Sequence, residues 1–236
     1  MKTNLLAVCL LVMGSDAAQA CPLTQAKTSS NSHGFVASHD QNARASGDRD
    51  SRYPASWWQE VSREGAPAWE IMPQDAGPGE VILSKRTELG IFSNFTLAPF
   101  TLDGVSYQSV EGFWQMMKFP EGPSDARSSF AGLVWPFTRQ QVSQMVAFEA
   151  KHAGDVGSKN MTTMGIGWVT YQGVQMPYKE ATPGEHYRVI RRAMEAKLAQ
   201  NPEVQRLLLA TGDLILKPDH TQEATSPPEW RYCRRR

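Results

Sequence analysis

The sequence predicts a single domain that is mainly α-helical, with small β hairpins. The chain has 236 residues, enough for one domain with its own core. Apolar side chains recur at helical spacing in two separate stretches, residues 110–117 and residues 185–200. An Asp-Gly pair at 103–104 lies between two short alternating runs, which is typical of a tight hairpin turn.

Composition and charge exclude several classes of protein. Hydrophobic residues make up 41% of the chain, which excludes collagen, a coiled coil and wholesale disorder. The 24 basic and 24 acidic residues balance, so no overall positive field attracts nucleic acid, and any anion must be held locally. Three cysteines are too few for a disulfide scaffold, and no Cys-X-X-Cys or His-rich run predicts a zinc site.

Residues 1–20 have the pattern of a secretory signal peptide. Lys2 precedes an apolar run at 5–13, and Ala-Gln-Ala at 18–20 satisfies the small-residue cleavage rule. The apolar run is well short of the roughly 20 residues that cross a bilayer, so we expect no membrane span. The sequence therefore predicts a secreted or periplasmic protein.

Cys21 directly follows the predicted cleavage point, and its fate stays open. Lipid attachment at this cysteine is one alternative, although Ala18 stands where such sites usually carry Leu. A disulfide between Cys21 and Cys233 in an oxidising compartment is another alternative, and the sequence alone does not place the two backbones.

The mature chain divides into three parts. Residues 21–56 are rich in Ser, Asn, Asp, His and Ala, and this predicts a flexible leader because so little apolar surface is available to bury. Residues 57–80 form an N-terminal extension, predicted as a short helix and a turn that Pro and Gly punctuate at 73–79. The domain proper occupies residues 81–236.

The first elements of the domain are a strand, a hairpin and a helix. The apolar triplet 81–83 predicts a short buried strand, and residues 100–107 predict the Asp-Gly hairpin. The stripe beginning at Val110 predicts an amphipathic helix, with Ser109 as its N-cap and Pro120 as its stop.

The middle of the chain predicts a further helix and a loop. We expect a helix over about 139–152 that ends at Gly154 as its C-cap. The glycines that follow, with Lys159, predict a flexible connection, because their spacing fits neither common phosphate-loop motif.

The last elements are a hairpin and two helices. Residues 168–178 predict a hairpin that turns at Gln-Gly 172–173. Residues 185–200 predict a helix, and Asn201 followed by Pro and Glu predicts the N-cap and first turn of another helix that ends near Ala210.

The residues that suggest chemistry lie on the helix that begins at Val110. Glu111, Gln115 and Lys118 stand at helical spacing and form a polar stripe beside the aromatic Trp114. With Ser109 as N-cap, Glu111 lies in the first turn, where the helix dipole favours the ionised carboxylate. This suits a base or a cation stabiliser. The alternative is ordinary helix capping and an aromatic core.

Three ordered motifs carry a resemblance to a known family. Phe-Ser-Asn-Phe at 92–95 is followed by Leu-Asp-Gly at 102–104 and by Val-Glu-Gly-Phe-Trp-Gln-Met-Met-Lys-Phe at 110–119. A later block, Leu-Leu-Leu-Ala-Thr-Gly-Asp at 207–213, completes the pattern. Over residues 81–230 this order resembles the NADAR family of YbiA-like proteins.

The resemblance implies a mainly α YbiA-like fold and hydrolysis of an N-glycosidic bond. Family members cleave ribose from a base or a base-like amine, in ribosylated pyrimidine intermediates or in ADP-ribosylated guanine. The implied partner is therefore a small nucleotide-like molecule or an ADP-ribosylated substrate. The family uses no metal, and we expect no cofactor.

The resemblance also assigns the candidate site. The family's essential acid falls on Glu111, which would stabilise the oxocarbenium-like state or activate water. Asn94 and aromatic rings would hold the departing base, and Lys118 would hold a phosphate, with a solvated helix cation as its alternative. The substrate-binding candidates are Phe92, Asn94, Phe95, Trp114, Lys118, Tyr178 and Trp230.

The sequence departs from the family pattern at three places. The Trp that the family often carries shortly before the helix at 185 is missing, and only Tyr178 and Tyr187 are nearby. The family's Glu-His-Tyr becomes Glu-Gly-Phe, so Gly112 stands where the family has histidine, and the family's C-terminal Trp-Gly becomes Trp230-Arg231. Two further hypotheses therefore stay open. One is a catalytically weak module that binds ADP-ribose or a nucleotide. The other is a secreted effector with N-glycosidase activity, which the signal peptide motivates.

Overall fold

The computed structural model describes residues 51–180 and 184–220. The predicted signal peptide and most of the leader lie outside these residues. The predictions for Cys21, Cys233 and Trp230 lie outside them as well.

The described residues contain five α-helices, six short strands and three 3-10 turns. The helices are α1 (Val110–Met116), α2 (Arg139–Ser143), α3 (Ala147–Met164), α4 (Glu185–Gln200) and α5 (Pro202–Ala210). The strands are β1 (Glu80–Ile82), β2 (Phe100–Leu102), β3 (Val105–Tyr107), β4 (Trp168–Tyr171), β5 (Val174–Pro177) and β6 (Ile215–Lys217). The 3-10 turns are Ala55–Trp58, Pro73–Asp75 and Glu88–Phe92. In this part of the chain, every helix is too short or too polar to cross a membrane.

The two predicted hairpins are confirmed. β2 pairs antiparallel with β3, and β4 pairs antiparallel with β5. Asp103 and Gly104 have φ angles of 50° and 79°, and Gln172 and Gly173 have 51° and 75°. Two successive positive φ angles are what a two-residue turn needs to match the twist of its strands.

The strand predicted at 81–83 exists as β1, but its partner was not predicted. β1 pairs in parallel with β6, with Val81 opposite Leu216. The two strands lie at opposite ends of the domain sequence, so no local turn signal announces the pair.

The start of α1 and the range of α4 follow the predictions. Ser109 Oγ accepts a hydrogen bond of 2.9 Å from the Gly112 N–H, so Ser109 is the N-cap of α1. The predicted capping by Asn201 is wrong in its detail, because its side chain makes no cap bond to α5. Asn201 Nδ2 donates instead to the carbonyl oxygens of Lys197 and Pro99, at 2.7 and 3.0 Å.

The predicted helix at 139–152 is wrong in its bounds. The predicted helix is interrupted after α2, and Ala147 begins α3 with a φ of 50°. α3 then runs through Gly154 and Gly157 and ends at a left-handed Gly165. α1 packs closely against α3 at these two inner glycines. A Cβ at Gly154 would overlap the Gln115 amide, so the close approach of the helices explains why glycine lies inside this helix.

Two hydrophobic clusters form the core of the part of the chain that the structure describes. The larger surrounds α1 and contains tilted or edge-on rings of Phe100, Tyr107, Phe113 and Tyr171. The second joins the aliphatic faces of β1 and α5 to the fully buried ring of Trp57. The segment assigned from sequence as an N-terminal extension therefore packs against the same core elements.

Candidate functional site

Glu111 is a buried acid in the first turn of α1. The residue is 7% exposed. The Glu111 N–H donates to the Asn94 carbonyl at 3.0 Å, and Glu111 Oε1 accepts from Gln115 Nε2 at 2.7 Å. The helix N-terminus favours a negative charge at this position. Glu111 is thus a carboxylate fixed by its own helix and joined to the turn that contains Asn94.

The polar stripe of α1 lies against α3. Lys118 is fully buried, and its Nζ donates to the Gly154 carbonyl at 3.3 Å and to Ser158 Oγ at 2.7 Å. Gln115 meets α3 at the same glycine. The alternative in which Lys118 is a solvated helix cation is therefore wrong, since the close approach of two helices encloses its ammonium group.

An aromatic cluster with cations nearby adjoins this stripe. Trp114 Nε1 donates to Tyr178 Oη at 3.1 Å, and the Trp114 ring meets the His186 ring edge-on at 5.3 Å. Lys118 Nζ lies 5.0 Å from the centre of the Tyr178 ring, and Lys179 Nζ lies 5.6 Å from it. Cations at such distances are attracted to the faces of aromatic rings. Elements α1, α4 and the chain after β5 thus meet at one set of rings.

A buried lysine stabilises the turn at 91–95 through hydrogen bonds to its backbone. Lys197 Nζ donates to the carbonyl oxygens of Ile91 and Ser93, at 2.7 and 2.8 Å. Phe92 and Asn94 line a narrow cleft beside it. The cleft holds about 10 Å³, close to the size of one water molecule, so it does not accommodate a ribose.

Phe95 lies on the same turn and faces a different neighbour. Its ring meets the Phe148 ring edge-on at 5.4 Å, and Lys85 Nζ lies 5.6 Å from its centre. Phe148 is 68% exposed. The structure thus leaves Phe95 half-buried beside an exposed ring, while Phe92 and Asn94 are buried.

Gly112 has no room for a side chain. A Cβ on this residue would lie 2.5 Å from the Met145 carbonyl oxygen and 2.9 Å from that of Val142. Ser109 Oγ donates to the same Met145 carbonyl at 2.8 Å. The backbone at the end of α2 therefore excludes the histidine that the family motif carries here.

Two arginines satisfy the C-terminal end of α1. Arg127 is buried and donates to the Met117 carbonyl at 3.0 Å, while Arg139 donates to those of Met116 and Phe119 at 3.1 and 2.8 Å. Burial lowers the pKa of Arg139 to about 10. These bonds supply partners to carbonyls that a helix end leaves without them.

Asp125 neutralises the buried guanidinium of Arg127. Both of its carboxylate oxygens accept hydrogen bonds from Arg127, at 3.0 and 2.6 Å. Burial raises the pKa of Asp125, but bonds from Arg127 and from the Glu121 and Arg127 backbone outweigh it and lower the pKa to about 2.

The sequence reasoning missed two members of the aromatic cluster. Neither Lys179 nor His186 is among the candidate site residues that the sequence suggests. His186 is fully buried against Trp114 and Tyr178. Its place in the first turn of the helix predicted at 185–200, eight residues after Tyr178, is the signal that could have found it. In the residues that the structure describes, no group of three or more His, Cys, Asp or Glu is arranged to hold a metal.

No protein-family model matches the chain, and no curated protein or solved structure is significantly similar to it. The resemblance to NADAR proteins therefore depends on the ordered motifs alone.

Proposed function

We propose that the protein is an N-glycosidase that hydrolyses the bond between ribose and a base or base-like amine. The supporting observation is the buried Glu111 carboxylate, which Gln115 of the same helix fixes by a hydrogen bond of 2.7 Å. A preorganised negative group in a site of low dielectric stabilises developing positive charge without reorganising. Glu111 is therefore the residue that carries the reaction.

The reaction needs one carboxylate and one water. As the bond between C1′ and the base nitrogen breaks, its electron pair leaves with the base and positive charge develops on the sugar. Glu111 stabilises that charge and accepts a proton from the attacking water, whose oxygen bonds to C1′. The proton then passes to the departing nitrogen. The products are the free base and ribose with a hydroxyl at C1′.

The charges around the ring cluster favour an anionic substrate. Lys118 and Lys179 both place their ammonium groups near the Tyr178 ring. The whole chain has no net charge, so these local cations are what would attract a phosphate. A substrate with a phosphate, such as ADP-ribose on a base or a ribosylamine phosphate, fits better than a neutral nucleoside.

The test is release of free base by the purified protein. The substrates are an oligonucleotide with ADP-ribosylated guanine, NAD and a phosphorylated ribosylaminopyrimidine, with products followed by mass spectrometry. We expect wild type to release base from at least one of them and Glu111→Gln to lose at least about a hundredfold in rate.

Glu149 provides a matched control for this test. It is also a first-turn acid, at the start of α3, but it is exposed. Glu149→Gln should keep the wild-type rate. Wild type that releases no base from any of the three substrates, or equal rates for wild type and Glu111→Gln, would contradict the proposal.

A second candidate, a module that binds the same ligand without turnover, is favoured by one observation. The backbone around Gly112 excludes the family's histidine, so any part that this residue plays in catalysis is absent. Calorimetry with ADP-ribose separates the two functions. Binding of ADP-ribose without release of base from any substrate supports the module, and catalytic turnover rejects it.

A further inference from the structure

Lys197 is a buried cation in the last turn of α4, and it bonds to a turn that lies far earlier in the chain. The residue is 4% exposed. Its Nζ donates to the carbonyl oxygens of Ile91 and Ser93, at 2.7 and 2.8 Å. An ammonium group is costly to bury unless acceptors replace its water, and hydrogen bonds from a charged donor are stronger than neutral ones. Lys197 therefore fixes the position of both carbonyl oxygens.

The same turn supplies an acceptor to the backbone of Glu111. Asn94 directly follows Ser93, and its carbonyl accepts a hydrogen bond of 3.0 Å from the Glu111 N–H. Glu111 lies in the first turn of α1, where a backbone N–H has no acceptor within its own helix. The turn at 91–95 therefore provides a contact that fixes the main chain of the acid.

The two sets of bonds lie on neighbouring peptide groups. The carbonyls of Ser93 and Asn94 belong to successive peptide groups, and each group is planar and rigid. A shift of the Ser93 carbonyl therefore moves the Asn94 carbonyl, which is the acceptor for Glu111. The carboxylate of Glu111 is fixed within α1, by Gln115 at 2.7 Å, whereas its main chain is fixed from outside the helix.

We propose that Lys197 is a positioning residue for Glu111. Through the turn at 91–95 it fixes the first turn of α1, and this sets the direction in which the carboxylate points. The inference rests on the proposed function, in which Glu111 must lie against the reacting carbon of the sugar. A misplacement of about 1 Å in a catalytic group can cost about a hundredfold in rate. The role of Lys197 is to orient the acid, without contact to the substrate.

Hydrogen exchange at the Glu111 amide tests this coupling without any substrate. Lys197→Met removes the ammonium group, and we expect the Glu111 amide to exchange at least about tenfold faster than in wild type, because its acceptor is no longer held in place. Arg139→Met is the matched control, since Arg139 is also a charged donor to two carbonyls, those of Met116 and Phe119 at the other end of α1. In this control the Glu111 amide should keep the wild-type rate.

A milder variant covers the case in which Lys197→Met does not fold. Lys197→Gln places an uncharged donor beside the turn, so its Glu111 amide should exchange at a rate between those of wild type and Lys197→Met. Arg139→Gln is then the control.

Kinetics test the effect on the reaction. We expect kcat of Lys197→Met to fall about 10- to 10²-fold with little change in KM, because a misplaced acid weakens the chemical step and not the binding of substrate. Arg139→Met should stay within about threefold of the wild-type kcat. Both variants lose a buried charged donor, so a loss of stability alone would affect them alike.

The outcomes separate this inference from the proposed function. A Glu111 amide that exchanges at the wild-type rate in the Lys197 variant, or that exchanges equally fast in the Arg139 control, overturns the coupling whether or not the protein turns over. Wild type that releases no base rejects both the glycosidase and the role of Lys197 in it. Wild type that turns over, with the Lys197 variant at the wild-type kcat, rejects the positioning role alone.

Discussion

Replacing Gly112 by alanine should destabilise the protein, although alanine is the better helix former. The new Cβ would lie 2.5 and 2.9 Å from the carbonyl oxygens of Met145 and Val142. Both oxygens belong to the backbone, so α1 and the end of α2 must move apart. That movement also strains the bond from Ser109 Oγ to the Met145 carbonyl.

The magnitude follows from three contributions. Forcing an extra methyl group into a packed site costs about 1–3 kcal/mol. Weakening the Ser109 bond and its cap costs about 1–2 kcal/mol more. Alanine in place of glycine within a helix stabilises the folded state by about 1 kcal/mol. The net loss in the free energy of unfolding is about 1–4 kcal/mol.

Urea denaturation followed by tryptophan fluorescence measures this loss. With a slope of about 2 kcal/mol per molar, the midpoint should fall by about 0.5–2 M. Gly167→Ala is the control, because open space surrounds that glycine, and its midpoint should stay at or above that of wild type. A Gly112→Ala midpoint equal to that of wild type would refute the account of how α1 and α2 pack.

Two further predictions concern buried charges. The pKa of Asp125 is lowered from 3.8 to about 2 in the folded state, because its bonds with Arg127 and with two backbone N–H groups outweigh burial. The ionised carboxylate therefore adds about 2 kcal/mol of stability above pH 4, and this is lost as the pH falls from 3.8 towards 2. Free energies of unfolding between pH 5 and 2 should show this loss in wild type and not in Asp125→Asn; parallel curves would contradict it. Lys197→Met should lower the free energy of unfolding by about 2–3 kcal/mol, because two carbonyls of the 91–93 turn lose a charged donor. Lys217→Met removes only a half-exposed ion pair and should cost under about 1 kcal/mol, and equal losses in the two variants would count against the role of Lys197.

The elements that the sequence predicted well are those that neighbouring residues decide. The turns at 103–104 and 172–173 need two positive φ angles, and Asp-Gly and Gln-Gly tolerate them. Ser109 caps α1 through a bond to a residue only three positions away. Such contacts depend on local spacing, so reading the sequence in short windows finds them.

The elements that it missed depend on distant partners. Gly154 and Gly157 have the appearance of a loop in isolation, and only the approach of α1 explains them as helix-packing residues. The parallel pairing of β1 and β6 likewise brings together the two ends of the domain.

For the site, the same distinction holds. The stripe of Glu111, Gln115 and Lys118 follows from helical periodicity, and the structure buries all three. The neighbours that enclose the stripe come from other elements. His186 joins Trp114 through tertiary packing alone, and the burial of Lys118 depends on Ser158 of α3.

A structure of the Glu111→Gln variant bound to an uncleaved ADP-ribosylated guanine nucleotide tests the central claim most directly. The account predicts that C1′ of the ribose bound to the base lies about 3–3.5 Å from the side-chain amide at position 111, with the base against Trp114. A ligand bound elsewhere on the protein, or with its glycosidic bond turned away from position 111, would contradict it.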